Sequence, residues 1–197
     1  ETVLANFEAT SNYKDVQDPA ITVLFRLADD DAFVAAWTTT PWTLPSNLAL
    51  CVGADIDYVE VTDQATGRRI YLAEARLEEY SAVHELTVEN RIRGSDLVGR
   101  KYLPLFEYFQ SEAERGAFVV VADDYVTTDE GTGIVHQAPA FGEDDYRVLA
   151  ANNIDAFVCP VTMGGRFTDE VSDFAGMQVK DADKGIVQFL KESEALW

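Results

Sequence analysis

The chain has 197 residues, 47% of them hydrophobic, and its fifteen Lys and Arg against thirty-five Asp and Glu give a formal charge of −20. That length closes one sizeable core and is short for two. The acidity repels phosphate backbones and argues against free-standing nucleic-acid affinity, while favouring solubility. No stretch approaches the roughly 20 apolar residues that span a bilayer, and the first ten residues lack the basic-then-apolar order of a signal peptide, so a soluble, cytoplasmic domain is expected. The start at Glu1 rather than Met and the stop at Trp197 after a helical run read as the cut ends of a single domain. Cys51 and Cys159 lie in apolar surroundings without Cys-x-x-Cys spacing and are expected as reduced core thiols.

In chain order, Ile21 to Leu27 and Ala32 to Thr40 alternate as two strands about an Asp29-Asp30-Asp31 turn, the second strand ending at Pro41. Leu48 to Val52, Ile56 to Val61 and Arg69 to Leu72 follow as short strands with glycine-bearing turns between them. Glu74 to Val83 reads as a surface helix, and Glu85 to Ile92 alternates again. Ala117 to Ala122 and Gly133 to Gln137 suit buried strands. Gly142 to Ala151 reads as a helix with Glu143, Asp144 and Asp145 in its first turn, where the macrodipole favours negative charge. Lys180 to Glu194 is the clearest helix, with Asp181 or Asp183 as N-cap. The pattern predicts an α+β, mainly β fold: a closed or nearly closed β-barrel core with peripheral α-helices.

Two stretches could carry chemistry. Trp37-Thr38-Thr39-Thr40-Pro41-Trp42-Thr43-Leu44-Pro45-Ser46-Asn47 concentrates four threonine hydroxyls among two tryptophans and two prolines. It reads equally as strand residues that happen to be polar or as hydroxyls fixed on a proline-stiffened turn, where threonine methyls would form a size-selective wall. In the second, Gly131 to Tyr146, His136 ends a strand and a proline-containing loop leads to Asp145 on a helix start. Taken alone, the plainer reading is a core histidine and a pair of helix-start charges, Asp144 and Asp145. His84 is expected to be structural. No spacing fits a zinc site, no Gly-x-Ser-x-Gly elbow is present, and neither cysteine has an obvious partner histidine, so no metal or cofactor is expected and a hydrolase built from these parts would position a water.

Together, Trp-Thr-Thr-Thr-Pro-Trp-Thr-Leu-Pro-x-Asn and Gly-Thr-Gly-Ile-Val-His-Gln-Ala-Pro-x-Phe-Gly-x-x-Asp-Tyr resemble the inserted editing domain of isoleucyl-tRNA synthetases. Tyr13 to Pro19, Phe174 to Met177 and Val179 to Asp183 also look like that family, so the resemblance runs through nearly the whole chain. Valyl and leucyl relatives carry arginine where Pro41 stands. The resemblance implies a barrel-type editing domain at 1–197, with 1–19 and 180–197 near the junctions to a parent synthetase. It further implies hydrolysis of valine wrongly attached to tRNA(Ile), with the tRNA 3′ CCA end and the rest of the synthetase as partners and weak tRNA affinity for the domain alone.

By that resemblance Asp145 holds the substrate's α-ammonium; Thr38, Thr39, Thr40 and Asn47 line the pocket; and His136 contacts substrate or the attacking water, with Asp145, His136 and Thr39 at the reacting centre. His-Ile-Gly-His and Lys-Met-Ser-Lys-Ser, the synthetic-site signatures, are absent from the chain. Two other readings stand beside it: a valyl-type editing domain clearing threonine, and a non-catalytic β-barrel module that only binds an amino acid or an RNA end.

Overall fold

Period-two alternation decides how the first sheet packs, because its successive side chains feed two separate apolar clusters. In the computed structural model, which describes residues 20–197, strand β1 (Ile21–Arg26) sends Val23 and Phe25 into the main core and Leu24 into a smaller one. β2 (Ala32–Thr38) divides likewise, with Val34 and Ala36 on one side and Ala35 on the other. β3 (Ala49–Val52), the next strand, is buried at every position, as its unbroken apolar run requires. β4 (Asp57–Asp63) and β5 (Arg68–Ala73) repeat the division, contributing Tyr58 and Tyr71 to the main core and Val59, Val61, Ile70 and Leu72 to the smaller one. Residues 13–19 and the expected amino-terminal junction lie outside the described residues.

Helix α1 (Leu77–Ser81) caps the smaller cluster with Tyr80, after a 3-10 turn over Glu74–Arg76, so the expected surface helix is split in two. The His84 ring stacks on that of Trp197 with centroids 4.5 Å apart. β6 (Leu86–Arg93) runs beside β4 and is followed by the single turn α2 (Gly94–Leu97). β7 (Val119–Ala122) and β8 (Ile134–Gln137) flank β3, the first parallel and the second antiparallel. α3 (Glu143–Ala151) and α4 (Val179–Glu192) are the remaining α-helices among the described residues.

The fold is mainly β with peripheral helices as expected, but of the closed or nearly closed barrel expected for its core, the closed form is not found. They make a five-stranded sheet, β1-β2-β5-β4-β6, and a three-stranded sheet, β7-β3-β8. The residues at the outer end explain why the ladder stops: β6 exposes Glu89, Asn90, Arg91 and Arg93, and a charged, solvated edge does not continue pairing. The other end is stitched. Leu103 N–H donates to Arg26 O (2.8 Å) and Tyr102 N–H to Phe118 O (3.0 Å), so one strap touches β1 on one side and the approach to β7 on the other.

Two further expectations are corrected. Asp181 and Asp183 do not cap α4: the helix begins at Val179 after Gln178, which leaves Asp181 in the first turn and rotates Asp183 inward. Cys51 is buried, but Cys159 is exposed, because Ile154, Ala156, Val158 and Pro160 take the inward positions of an extended segment and Cys159 falls between the last two.

Turned inward, Asp183 ties α4 to the turn after β2. It is 6% exposed, and its Oδ1 accepts the Trp42 N–H at 2.8 Å. Asp183→Ala would strip that inward N–H of its acceptor, a loss of about 1–3 kcal/mol in urea unfolding, with Asp183→Asn losing less. Equal stability of Asp183→Ala and the parent would contradict this tether.

Candidate active site

The threonine run lies where β2 gives way to a 3-10 helix, Pro41–Ser46, whose first position takes proline without losing a hydrogen bond. Thr38 is buried at the end of the strand, Thr39 is exposed, and Thr40 is half-buried before the turn. The hydroxyls of Thr38, Thr40 and Thr43 are ordered by one another. Thr38 Oγ1 accepts the Thr40 N–H (3.1 Å) and lies 3.3 Å from Thr40 Oγ1, and Thr43 Oγ1 donates to Thr40 O at 2.8 Å. Fixed geometry of this kind loses little rotamer freedom when a ligand arrives.

His136 joins this chain of hydroxyls from the other sheet. It pairs with Leu50 in the β3–β8 ladder, is 9% exposed, and puts Nε2 3.0 Å from Thr43 Oγ1. Because the single Thr43 proton goes to Thr40 O, the histidine nitrogen is the donor, which makes His136 the Nε2–H tautomer. Nδ1 is then a bare acceptor, buried and without a protein partner. Burial holds its pKa down at about 4, so the ring is neutral at physiological pH and takes no part as an acid there.

A pocket of about 360 Å³ opens beside these groups, walled by Thr38, Thr39, Thr40 and His136 and closed by Trp37, Tyr125 and the 131–133 turn. That turn must be glycine-rich. Gly133 has φ +72°, and a Cβ there would lie 2.5 Å from the Ala73 side chain, so the backbone packs where no side chain fits. Thr132 and Thr43 join the site without having been singled out; Thr43 was visible in the motif, whereas Tyr125, in an ordinary Asp-Asp-Tyr-Val stretch, needed the fold to bring it in.

Asp145 sits half-buried in the first turn of α3, and its Oδ2 accepts the Ala138 N–H at 2.8 Å. Gly142 makes room for the folded-back carboxylate, since a Cβ there would stand 2.8 Å from Asp145 Cγ. Burial raises its pKa, and the Ala138 amide works against that rise. Asp145 is not one of the residues walling the pocket. Its charge is nevertheless felt at Tyr125, whose phenol is raised chiefly by burial and further by Asp145. Asn47 is placed elsewhere: its Nδ2 donates to Ala49 O (2.9 Å) and its Oδ1 accepts from Tyr102 (2.6 Å), so both ends brace the entry to β3.

The neutral histidine has a measurable consequence. Its folded pKa of about 4 lies below the ordinary 6.5, so between those values the unfolded chain binds more protons. The stability it contributes is full above about pH 6.5 and is lost as pH falls toward 4. In NMR titration the His136 ring signals should stay neutral at pH 5.5; a midpoint near 6.5 would contradict the burial described.

No family model matches the chain. It is 54% identical over 194 residues to an isoleucine--tRNA ligase of Bdellovibrio bacteriovorus, covering 97% of this chain and 18% of that protein. It is 52% identical over 201 residues to the cytoplasmic isoleucine--tRNA ligase of Mus musculus, covering 99% and 16%. The chain therefore spans less than a fifth of the length of these relatives. Among solved structures, GlLeuRS-CP1 superposes with a TM-score of 0.73 at 15% identity, covering 91% of this chain and 98% of that one. The editing domain of the P. knowlesi cytosolic leucyl-tRNA synthetase does so at 0.68 and 11% identity, covering 92% and 96%. Identity at that level speaks for the fold alone. Among the described residues no helix is long and apolar enough to cross a membrane. Sequence and fold together place the chain in the isoleucyl-tRNA synthetase family, as the segment with the architecture of the connective-peptide editing domain.

Proposed function

We propose that this domain hydrolyses the ester of valine wrongly attached to tRNA(Ile). The observation that carries the reading is a pocket walled by threonines and a neutral histidine, within reach of the charge of a half-buried carboxylate. The need for such a site is physical: a synthetic pocket separates isoleucine from valine by one methylene, worth only about 1–3 kcal/mol, isoleucyl-tRNA synthetases themselves being the standard illustration of that limit. A second site that admits only the smaller product makes up the difference.

Asp145 would hold the α-ammonium through Oδ1, its other oxygen being engaged by Ala138. Thr38, Thr39 and Thr40 would form the wall that limits side-chain size, and their hydroxyls would lie against the ester. His136, with a pKa of about 4, is too weak a base to strip a proton from water at neutral pH, and its Nδ1 is shut away from solvent; the ring would instead contact the substrate where it lines the pocket and hold Thr43 in place. The formal charge of −20 fits a domain that grips only the CCA end and leaves most of the tRNA affinity to the rest of a synthetase. The identity to isoleucine--tRNA ligases favours this branch over a valyl-type domain that clears threonine.

The test is deacylation of valyl-tRNA(Ile) by a full-length synthetase carrying this sequence. Asp145→Asn keeps an acceptor for the Ala138 N–H while removing the charge, and should cut the rate by at least about 100-fold, the scale of a mispositioned substrate. Hydrolysis at the parent rate would remove Asp145 from the proposed site.

A further inference from the structure

We propose that Tyr125 is a substrate contact in this site, its phenolic O–H donating a hydrogen bond to the carbonyl oxygen of the aminoacyl ester. The proposal rests on the hydrolytic reading and adds a residue to it. Three observations lead there, beginning with a proton that has nowhere to go. Gln137 Nε2 donates to Tyr125 Oη at 2.7 Å and to Val135 O at 3.3 Å. Val135 O can only accept, so this orientation turns the nitrogen toward the tyrosine and leaves Gln137 Oε1 buried without a partner. The Tyr125 oxygen is therefore already an acceptor, and its own proton finds no acceptor among the described residues.

The backbone and one face of the ring are held in place together. Tyr125 N–H donates to Asp123 Oδ1 (3.1 Å), Arg147 stands 5.9 Å from the ring centroid, and Arg147 is itself held by both Asp123 oxygens at 2.8 and 2.9 Å. Arg147 also reaches Asp144 (3.2 Å), the residue before Asp145, so the clamp that sets the tyrosine belongs to the helix turn that carries the proposed ammonium anchor. Finally, Tyr125 lines the same pocket as the threonine run.

In an aminoacyl ester the carbonyl carbon and the ammonium nitrogen are both bonded to the α-carbon, so a donor tied to the helix turn that grips the ammonium is placed to meet the carbonyl oxygen. The proton stays on the tyrosine. Its bond strengthens as the carbonyl takes on negative charge during attack by water, which lowers the barrier more than it strengthens binding.

The experiment measures single-turnover deacylation of valyl-tRNA(Ile) by the same full-length synthetase with Tyr125→Phe, which keeps the ring and its clamp. The expected result is a maximal rate lower by about 10- to 100-fold with half-saturation within about twofold of the parent, and an unchanged unfolding midpoint. Gln137→Glu turns the partner into an acceptor that would draw the phenolic proton away, and should slow the reaction without moving half-saturation. A parent rate in Tyr125→Phe while Asp145→Asn is slow would overturn the role of Tyr125 and leave the hydrolytic reading standing. A parent enzyme that does not hydrolyse the ester would overturn both.

Discussion

The hydrogen bond from His136 to Thr43 joins the two sheets at the point where the site is built. His136 belongs to the small sheet through its pairing with Leu50, and Thr43 to the turn that leaves the large one. Once that bond is made, the order of the rest is set: Thr43 turns its proton to Thr40, Thr40 lies against Thr38, and the imidazole is left with one bare nitrogen in a dry setting. The same burial that holds the His136 ring in place makes it a poor base.

That constraint shapes the kind of chemistry the pocket suits. With a neutral histidine, threonine hydroxyls and a carboxylate partly engaged by a backbone amide, the site is rich in groups that hold and orient, and poor in groups that exchange protons near pH 7. Hydrolysis of an activated ester asks for little more, since the alkoxide of a ribose is a competent leaving group and water needs chiefly to be placed. The tether from Asp183 to Trp42 N–H belongs to the same logic, because it holds the threonine turn rigid from the side of α4.

Much of this was legible in the chain. Alternation in Ile21 to Leu27 and Ala32 to Thr40, and the unbroken apolar run of β3, each carry a period that packing enforces, and the two motif stretches do fall on strand ends and a helix start. What was hidden depended on partners far away in sequence. Nothing local marks Asn47 as a brace for Tyr102, or Tyr125 as a member of the pocket, because Gln137 and Arg147 place that ring. Barrel closure was overestimated for a similar reason: strand propensity counts strands, whereas the charged outer edge of β6 decides where the ladder stops.

The central claim is that the pocket receives an aminoacyl group with its ammonium on Asp145. A crystal structure with a non-hydrolysable valyl-adenosine analogue tests it most directly. The predicted result is the analogue's amino group within hydrogen-bond distance of Asp145 and its side chain against Thr38 to Thr40; an amino group directed away from Asp145, or an analogue seated outside this pocket, would contradict it.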